Sequence, residues 1–478
     1  MRFISQQLLA VFLLGLLSCC TTIANAPINV PLHGVPPPAA ALPNRGNTGV
    51  AIGLAFSGGG TRAAAFAFGV LKQLAAQPAP GGTTLLGNVD FVSGVSGGSI
   101  TAAYLGYRGD AALANFRERF LVQDVQGSLY TSPFDPRNIL RAFAGGVNDR
   151  RGLQAWLDAH LFDHQTLAAL GGSDKPLVWI NASDIFDNTP FVFDHEAFDA
   201  ICSDLSRLPI SEAVAASAAV PIAFAPIVLQ SYPGECVYER PAWLTSALQP
   251  NSEASANLQS FAQALENYRD PNFMRYIKLL DGGLVDNYGL AGLTLRREEA
   301  AAPYAPLTAE QAVRLNRLLF VVVDAGQSTD DSWVKKASGP DGADLILAAI
   351  STSMNSSKRA SYDLFAAEMN AWRDDLVRFR CGLSRAEVAR FGGDSAHWNC
   401  RDIQFFIARV SFSLLDPPLA DELSRLPTSL SLPAAQVDAL IAGGGEALAR
   451  APAYRQFLKS LGGNGPRVSS VERAMPPA

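Results

Sequence analysis

The sequence predicts a three-layer α/β/α sandwich, in which helices cover both faces of a mostly parallel central sheet. Short, uninterrupted apolar runs such as Val50–Phe56 are typical of strands that are buried on both faces. Glycine-rich turns follow two of these runs, and helical patterns separate most of the others. This alternation is the pattern that builds a parallel sheet between two layers of helices. With 478 residues, 48% of them hydrophobic, the chain is long enough to bury a large core.

The predicted elements follow one another as strand–turn–helix units. The first unit is the strand Val50–Phe56, a glycine turn and a helix over 62–74, and the second is a strand over 89–92 with a helix over 99–105. Further strands are predicted at 177–180, 276–280, 318–323 and 405–410. Helices are predicted at 135–170, which is a candidate lid or cover beside the sheet, at 331–370 and at 433–461.

The first residues predict that the chain is exported. Arg2 precedes an apolar run over 8–17, which is too short to span a bilayer and is typical of the core of a signal peptide. The residues that follow this run, 26–48, are rich in proline and small residues. Such a composition favours an extended spacer over packed structure, so we expect a tether over 19–49.

Two cleavage sites compete in this region. Ala24-Asn25-Ala26 has the small-x-small form, but Pro27 would follow the cut, and a rigid ring without an N–H suits an extended protease substrate poorly. Residues 16–19, Leu-Leu-Ser-Cys, resemble instead the bacterial lipobox, in which the cysteine is lipidated. We therefore expect a signal peptide over 1–18 and a lipid anchor on Cys19 that holds the protein at the outer membrane or the periplasmic face. The alternative is a spare thiol in a discarded signal.

Charge and cysteine content exclude some classes of protein. The chain has 38 basic and 44 acidic residues without a Lys/Arg cluster, so nucleic acid is not an expected partner. The exported body would contain an even set of cysteines, which permits two disulfides in an oxidising compartment. Proximity in sequence favours Cys202 with Cys236 and Cys381 with Cys400, while other pairings stay open. No CxxC spacing occurs, so a structural metal is not expected.

Ser96 is the candidate nucleophile. Gly94-Val95-Ser96-Gly97-Gly98 fits G-x-S-x-G directly after a predicted strand and before a predicted helix, which is the context of a nucleophile elbow. The serine must occupy a strained turn to expose its hydroxyl, and Gly94 and Gly98 leave room for chains that cross closely. The alternative is a glycine-rich turn that contains a buried serine.

A second glycine cluster lies at the first strand–helix junction. The successive N–H groups of Gly58, Gly59 and Gly60, with Arg62 nearby and a helix beginning after them, can form an anion site. In an acyl-hydrolase that anion would be the tetrahedral oxyanion. The alternative is phosphate binding, because residues 58–63 also satisfy G-x-G-x-x-A. However, no acidic residue ends a second strand about twenty positions later, and a Walker lysine is absent.

Asp281 is the candidate base. Asp281-Gly282-Gly283 follows the predicted strand at 276–280. Because ligand groups in open α/β sheets collect at the carboxyl ends of strands, we expect all three glycine-containing motifs to meet at one edge of the sheet. The alternative is a turn-forming aspartate, which is the commoner role of Asp-Gly.

Together these motifs resemble the patatin-like phospholipase family, whose members share a glycine triplet with a nearby Arg or Lys, G-x-S-x-G and a later D-G-G or D-G-A. Residues 181–184 and the stretch 216–226 are similar to two softer patterns of the family, and Ala63 departs from it where many members carry glycine. The resemblance covers roughly 50–290 and implies a Ser96–Asp281 dyad, with an oxyanion hole built by the glycine triplet.

The resemblance further implies an enzyme that cleaves acyl esters of phospholipids or lysophospholipids. The lipobox-like residues 16–19 indicate a bacterial protein, and because the sequence shows no recognisable metal ligands, we expect neither cofactor nor metal. A catalytic domain is then expected over 50–330, and a mainly helical region over 331–478 would complete it or pack on it. Two alternatives stay open. An esterase of the α/β-hydrolase type would use a Ser96–Asp281–His397 triad, and a non-catalytic protein would bind lipid or a dinucleotide. The sequence does not indicate an oligomeric state.

Overall fold

The computed structural model describes residues 23–37, 49–130, 135–143, 145–172, 174–327, 337, 339 and 342–462. The predicted signal peptide and Cys19 lie outside these residues. Within the described part of the chain, one sheet contains the strands β1 Val50–Phe56, β2 Val89–Val95, β3 Leu177–Asp184, β4 Thr189–Val192, β5 Ile227–Gln230, β6 Tyr276–Asp281, β7 Arg317–Asp324 and β8 Gln404–Ser411.

The α-helices lie between and after these strands. In chain order they are α1 Gly60–Ala75, α2 Gly97–Arg108, α3 Ala112–Phe116, α4 Pro136–Phe143, α5 Leu153–His160, α6 His195–Ala200, α7 Ile210–Ser217, α8 Ala242–Ala247, α9 Ala256–Arg269, α10 Ala291–Glu298, α11 Ala309–Arg314, α12 Gly342–Gly382, α13 Arg385–Arg390, α14 Pro417–Ser424, α15 Ala434–Arg450 and α16 Pro452–Ser460.

The sheet has the order β5-β6-β3-β2-β1-β7-β8, with β4 also paired to β3. Its centre, from β3 to β8, is parallel. Central strands such as β1 are buried along their whole length, which is why they appear as continuous apolar runs. Helices α1, α2 and α15 cover one face and α10 and α12 the other. The predicted three-layer fold is confirmed.

The strands β4, β5 and β6 differ from expectation. All three are antiparallel to their partners, and β4 and β5 were not predicted because four residues are too few to show a periodic pattern. The direction of β6 matters most, because the carboxyl end of an antiparallel strand should lie at the edge of the sheet opposite to Ser96. Asp281 nevertheless lies at the same edge as Ser96, because β6 pairs only with the carboxyl end of β3, where Asp281 is opposite Ala182.

The described part of the N-terminal segment is packed against the body, so the expectation of an unpacked spacer is wrong there. The Ile28 N–H donates to the Val228 carbonyl at 3.0 Å. The buried Asn29 side chain donates to Ser203 Oγ at 2.9 Å and to the Gln230 carbonyl at 2.8 Å. A buried amide that finds such partners in the fold holds the chain in place, which composition alone does not reveal.

Several smaller predictions are settled by the fold. Both disulfides form as proximity suggested, Cys202 with Cys236 and Cys381 with Cys400. The segment 135–170, predicted to be helical, contains two short helices, α4 and α5, and between them an irregular stretch that includes Gly145 and Gly146. The predicted terminal helix pair is confirmed as α15 and α16. Among the described residues no helix is both long and apolar enough to span a bilayer.

Candidate active site

Ser96 lies on a sharp turn between β2 and α2. Its backbone has φ 51° and ψ −124°, a conformation that is strained for a residue with a side chain. The turn is possible because neighbouring chains approach closely: a Cβ on Gly94 would lie 2.7 Å from Ser99 Cα, and one on Gly98 would lie 2.6 Å from the Ser57 carbonyl oxygen. The structure thus places Ser96 where a nucleophile elbow requires its serine.

Two other serines hold this turn. The Ser96 N–H donates to Ser217 Oγ at 2.9 Å, and Ser217 in turn donates to the Asn181 carbonyl at 2.6 Å. The Ser96 carbonyl accepts hydrogen bonds from the Ser99 N–H at 3.0 Å and from the Ser99 hydroxyl at 2.6 Å. Since its own N–H is engaged, Ser96 does not offer that group to a substrate. Ser217 lies in the stretch 216–226, but its contact with Ser96 spans two distant segments and left no signal in the sequence.

Asp281 ends β6 beside this turn. Its Oδ1 accepts the Gly283 N–H at 2.8 Å, and its N–H donates to the Ala219 carbonyl at 2.9 Å. The Ser183 hydroxyl donates to the carbonyls of Asp281 and Gly282, at 2.9 and 3.2 Å. The whole acid motif is therefore held by hydrogen bonds from β3 and from the loop after α7.

Burial determines the pKa of the Asp281 carboxyl. The residue is 2% exposed, and Ser96 is 5% exposed. Burial raises the pKa of the Asp281 carboxyl to about 6, although the Gly283 N–H and the Ser96 hydroxyl both act to lower it. Oδ2 has no hydrogen-bond partner of good geometry among the described residues. Ser96 therefore lies close enough to affect the pKa of Asp281 without a hydrogen bond of good geometry to its Oδ2.

The glycine triplet lies next to Ser96. A Cβ on Gly58 would be 3.3 Å from Ser96 Cβ. The Gly58 N–H is partly engaged, because it donates at 3.2 Å to both the main-chain and the side-chain carbonyl of Asn287. With φ at 140°, Gly59 adopts a backbone open only to glycine, and within the described chain the N–H groups of Gly59 and Gly60 form no hydrogen bond. These two amides lie at the positive end of α1, which is an environment that favours an anion.

Arg62 is engaged elsewhere. The guanidinium is buried and donates to the Ala325 carbonyl at 3.0 Å, the Leu426 carbonyl at 2.5 Å and Thr428 Oγ1 at 3.1 Å. Burial lowers its pKa to about 10, while Asp324 acts to raise it. The expected direct role in the oxyanion hole is therefore corrected: Arg62 fixes the glycine loop against two later segments of the chain, and sequence reasoning missed those partners.

A second buried aspartate lies on the neighbouring part of this edge. Asp324 ends β7 and accepts hydrogen bonds from Tyr288 at 2.8 Å, Arg409 at 3.0 Å and Lys358 at 3.3 Å. Burial acts to raise the pKa of Asp324, but the two cations and the phenol outweigh it and the pKa is lowered. This residue is a permanent anion that joins β7, β8 and α12, and the sequence showed no motif for it.

His397 is not near the acid. Its ring is exposed and contacts Asp394 at 2.9 Å, in the segment before β8. Because β8 is parallel to the central strands, that segment lies at the edge opposite to Ser96. The alternative of a Ser96–Asp281–His397 triad is therefore wrong for this fold. Among the described residues no group of His, Cys, Asp and Glu is arranged to hold a metal ion.

The fold and the elbow define the class: three-layer α/β/α proteins with a serine on a strand–helix turn. The model of the patatin-like phospholipases matches residues 54–294, which is half of the chain. The chain belongs to the patatin-like phospholipase family.

Among solved structures, human GIVD cytosolic phospholipase A2 is 16% identical in sequence, with a TM-score of 0.29. The match covers 59% of this chain and 43% of that one, so the chain spans less than half the length of that enzyme. No curated protein matches the sequence.

Proposed function

We propose that the protein is a lipid acyl-hydrolase that cleaves carboxylic esters of phospholipids or lysophospholipids, with Ser96 as nucleophile and Asp281 as base. One observation carries the proposal above the others. A strained serine lies beside a buried carboxyl whose pKa, about 6, is close to the operating pH of a general base. Membership of the patatin-like phospholipase family supports the lipid class of substrate.

The proposed reaction has two half-steps. Ser96 Oγ attacks the acyl carbonyl while Asp281 takes its proton, and the tetrahedral oxyanion accepts hydrogen bonds from the Gly59 and Gly60 N–H groups. Collapse expels the alcohol, which takes the proton from Asp281, and leaves an acyl ester on Ser96. A water then gives a proton to Asp281 and attacks the acyl-enzyme, and Ser96 leaves as the fatty acid is released, taking the proton back from Asp281. Each oxyanion donor contributes roughly 3 kcal/mol to such a transition state.

The dyad dispenses with histidine because of where Asp281 lies. An exposed aspartate, with a pKa of about 4, is too weak a base to deprotonate a serine efficiently near neutral pH. Burial without a cation raises the pKa of the Asp281 carboxyl to about 6, which makes the carboxylate a stronger base. The Gly283 N–H holds one carboxylate oxygen and leaves the other without a strong donor, so that oxygen is available for the serine proton.

We further propose that the protein is an exported lipoprotein anchored through Cys19, without cofactor and without nucleic acid as a partner. The apolar run over 8–17 and the lipobox-like residues 16–19 support export and anchoring. The two disulfides are typical of an oxidising compartment. Mass spectrometry of the purified N-terminus tests this: diacylglyceryl on residue 19 supports it, whereas an unmodified N-terminus at residue 27 contradicts it.

Fluorophosphonate labelling with peptide mapping tests the catalytic proposal. We expect label on Ser96, lost in Ser96→Ala and in Asp281→Ala and kept in His397→Ala, which serves as the matched control. Label on another serine would contradict the assigned nucleophile. No label on a protein with an intact unfolding transition would instead favour the non-catalytic lipid-binding alternative.

A further inference from the structure

An apolar face lies exposed on the surface beside the active site. Tyr130, Leu140, Phe143 and Ile222 are 60%, 44%, 89% and 44% exposed. Contiguous exposed apolar side chains are uncommon on a soluble protein unless something binds them. We call these four residues the apolar face.

Hydrogen bonds and one cation–ring contact join the chain segments that carry the four residues. The Val147 N–H donates to the Ile222 carbonyl at 2.9 Å, which joins the end of α4 to the loop after α7. The Asn148 side chain binds the backbone N–H and carbonyl of Tyr130 at 2.8 and 3.0 Å. Arg141, on the same short helix as Leu140 and Phe143, lies 4.9 Å from the Tyr130 ring centre.

The apolar face is tied to the catalytic residues. The segment from Ser217 to Ile222 accepts the N–H of Ser96 at Ser217 and the N–H of Asp281 at Ala219, both at 2.9 Å. Ile222 has φ 72°, a rare and strained conformation for a β-branched residue, and its side chain stays exposed. Strain that holds an apolar side chain outward needs a reason, and contact with an apolar partner supplies one.

The N-terminal chain leaves the body at this same face. The Ala24 N–H donates to Asp149 Oδ2 at 2.9 Å, and Ile23 Cδ1 lies 3.9 Å from where a Cβ on Gly145 would be. Cys19 precedes Ala24 by five positions, a reach of at most roughly 17 Å even in a fully extended chain. A lipid on Cys19 would therefore enter a membrane within roughly 17 Å of Ala24, whose neighbour Ile23 lies near Gly145, two positions after the end of α4.

Charges at the face do not oppose a lipid surface. Asp135 is paired with Arg137 at 3.0 Å, and Asp149 is paired with Arg141 at 3.3 Å and also with Arg151. Arg137 and Arg151 are themselves more than half exposed, so guanidinium groups lie where anionic headgroups would meet them.

We propose that the apolar face docks on a lipid surface, with Leu140 and Phe143 inserted, so that the active site takes its ester directly from the membrane. This inference rests on the proposed lipid acyl-hydrolase function and adds where and how the membrane is contacted. The packed N-terminal segment fixes the orientation of the protein on the membrane, because the chain leads to the anchor from the same side of the protein as the apolar face.

The first test measures binding of the full chain, in the Ser96→Ala background, to vesicles of phosphatidylcholine and phosphatidylglycerol. Because each large apolar side chain contributes substantially when buried, Leu140→Ser with Phe143→Ser should weaken partitioning roughly tenfold or more. Phe273→Ser is the matched control, since Phe273 is 58% exposed and packs on Phe186, and neither residue belongs to the apolar face. Equal loss in both variants would overturn the proposal.

Because the lipid anchor alone could hold the chain on vesicles, a second test reports insertion directly. In vesicles with brominated acyl chains, the fluorescence that the new tryptophan adds in Phe143→Trp should be quenched, whereas the fluorescence that it adds in Phe273→Trp should not. Absence of quenching at position 143 would overturn the proposal whatever the total binding.

Hydrolysis of a soluble short-chain ester by the active chain separates the two proposals. We expect Leu140→Ser with Phe143→Ser to keep soluble-ester turnover and to lose turnover of vesicle phospholipid. A parent that inserts Phe143 but hydrolyses no ester would defeat only the proposed function. A parent that hydrolyses the soluble ester without inserting would defeat only the docking.

Discussion

Asp281 and Asp324 both end strands of one sheet and both are buried, yet their pKa values are shifted in opposite directions. Asp281 has one backbone N–H and a loosely placed hydroxyl as partners, and burial raises its pKa to about 6. Asp324 has Lys358, Arg409 and Tyr288, and its pKa is lowered. Burial of a carboxyl therefore does not decide its role, because cations within hydrogen-bond distance can reverse the effect of desolvation.

The difference separates a reactive group from a structural one. A carboxylate that is paired with two cations holds its negative charge too firmly to accept a proton near neutral pH. A buried carboxylate without a cation is destabilised, and that cost is what makes it a base. In this protein the two kinds lie on neighbouring parts of one sheet edge, so paired substitutions can compare them directly.

The largest expected effect is on activity in Asp281→Asn. Loss of the base should slow fluorophosphonate labelling by at least roughly a thousandfold.

The stability of Asp281→Asn at pH 7 should instead be higher than that of the parent. The native pKa of about 6 lies above that of an unfolded aspartate, so the stabilisation present below pH 4 is lost as pH rises through 6. At pH 7 the ionised carboxylate therefore lowers the free energy of unfolding by about 3 kcal/mol, and the uncharged amide of the Asn variant removes this cost. Urea unfolding at pH 7 measures the gain.

The pH dependence of this gain is its control. At about pH 3, below the pKa of an unfolded aspartate, the parent carboxyl is mostly protonated in both states, so the two proteins should unfold at similar urea concentrations. A stability loss at pH 7 would show that the carboxylate is better stabilised in the fold than burial implies, and would remove the argument for Asp281 as base.

Asp324→Asn should lower stability by roughly 3 kcal/mol, because it leaves the buried Lys358 without its carboxylate. Arg409→Ala should cost less, since that side chain is half exposed and solvent screens its ion pair. Denaturant titration compares the three proteins. Equal stability of Asp324→Asn and the parent would mean that the cluster is not a structural anion site.

The pH profile of labelling sharpens the comparison further. The rate should rise with pH to a plateau, with a midpoint at about 6, because only the ionised Asp281 accepts the serine proton. The midpoint should be unchanged in Arg409→Ala, which touches the other aspartate. A midpoint near 4 would indicate an ordinary exposed carboxyl as the titrating group.

The smallest effect is expected at His397. His397→Ala should leave labelling and stability within about twofold and about 0.5 kcal/mol of the parent, because its ring is exposed at the far edge of the sheet. A large loss of labelling in a folded variant would reopen a role for imidazole.

Local pattern determined much of this protein. Burial on both faces made the central strands readable as apolar runs, and the elbow was readable because its glycines, strand and helix are contiguous in sequence. The glycine triplet at the start of α1 and Asp281-Gly282-Gly283 could be recognised in the sequence for the same reason. In each case the residues that define the feature lie within about ten positions of one another, which is the range over which periodicity and turn chemistry act.

Only the tertiary structure decided which groups meet. The antiparallel direction of β6, the partners of Arg62 at 325–428, the contact of Ser217 with Ser96 and the docking of Asn29 all join segments far apart in the chain. The contrast between Asp281 and Asp324 belongs with them, because both are aspartates at strand ends in the sequence. Desolvation and charge pairing depend on the three-dimensional surroundings, so the sequence determined where the carboxyls lie and the fold determined which of them has a raised pKa.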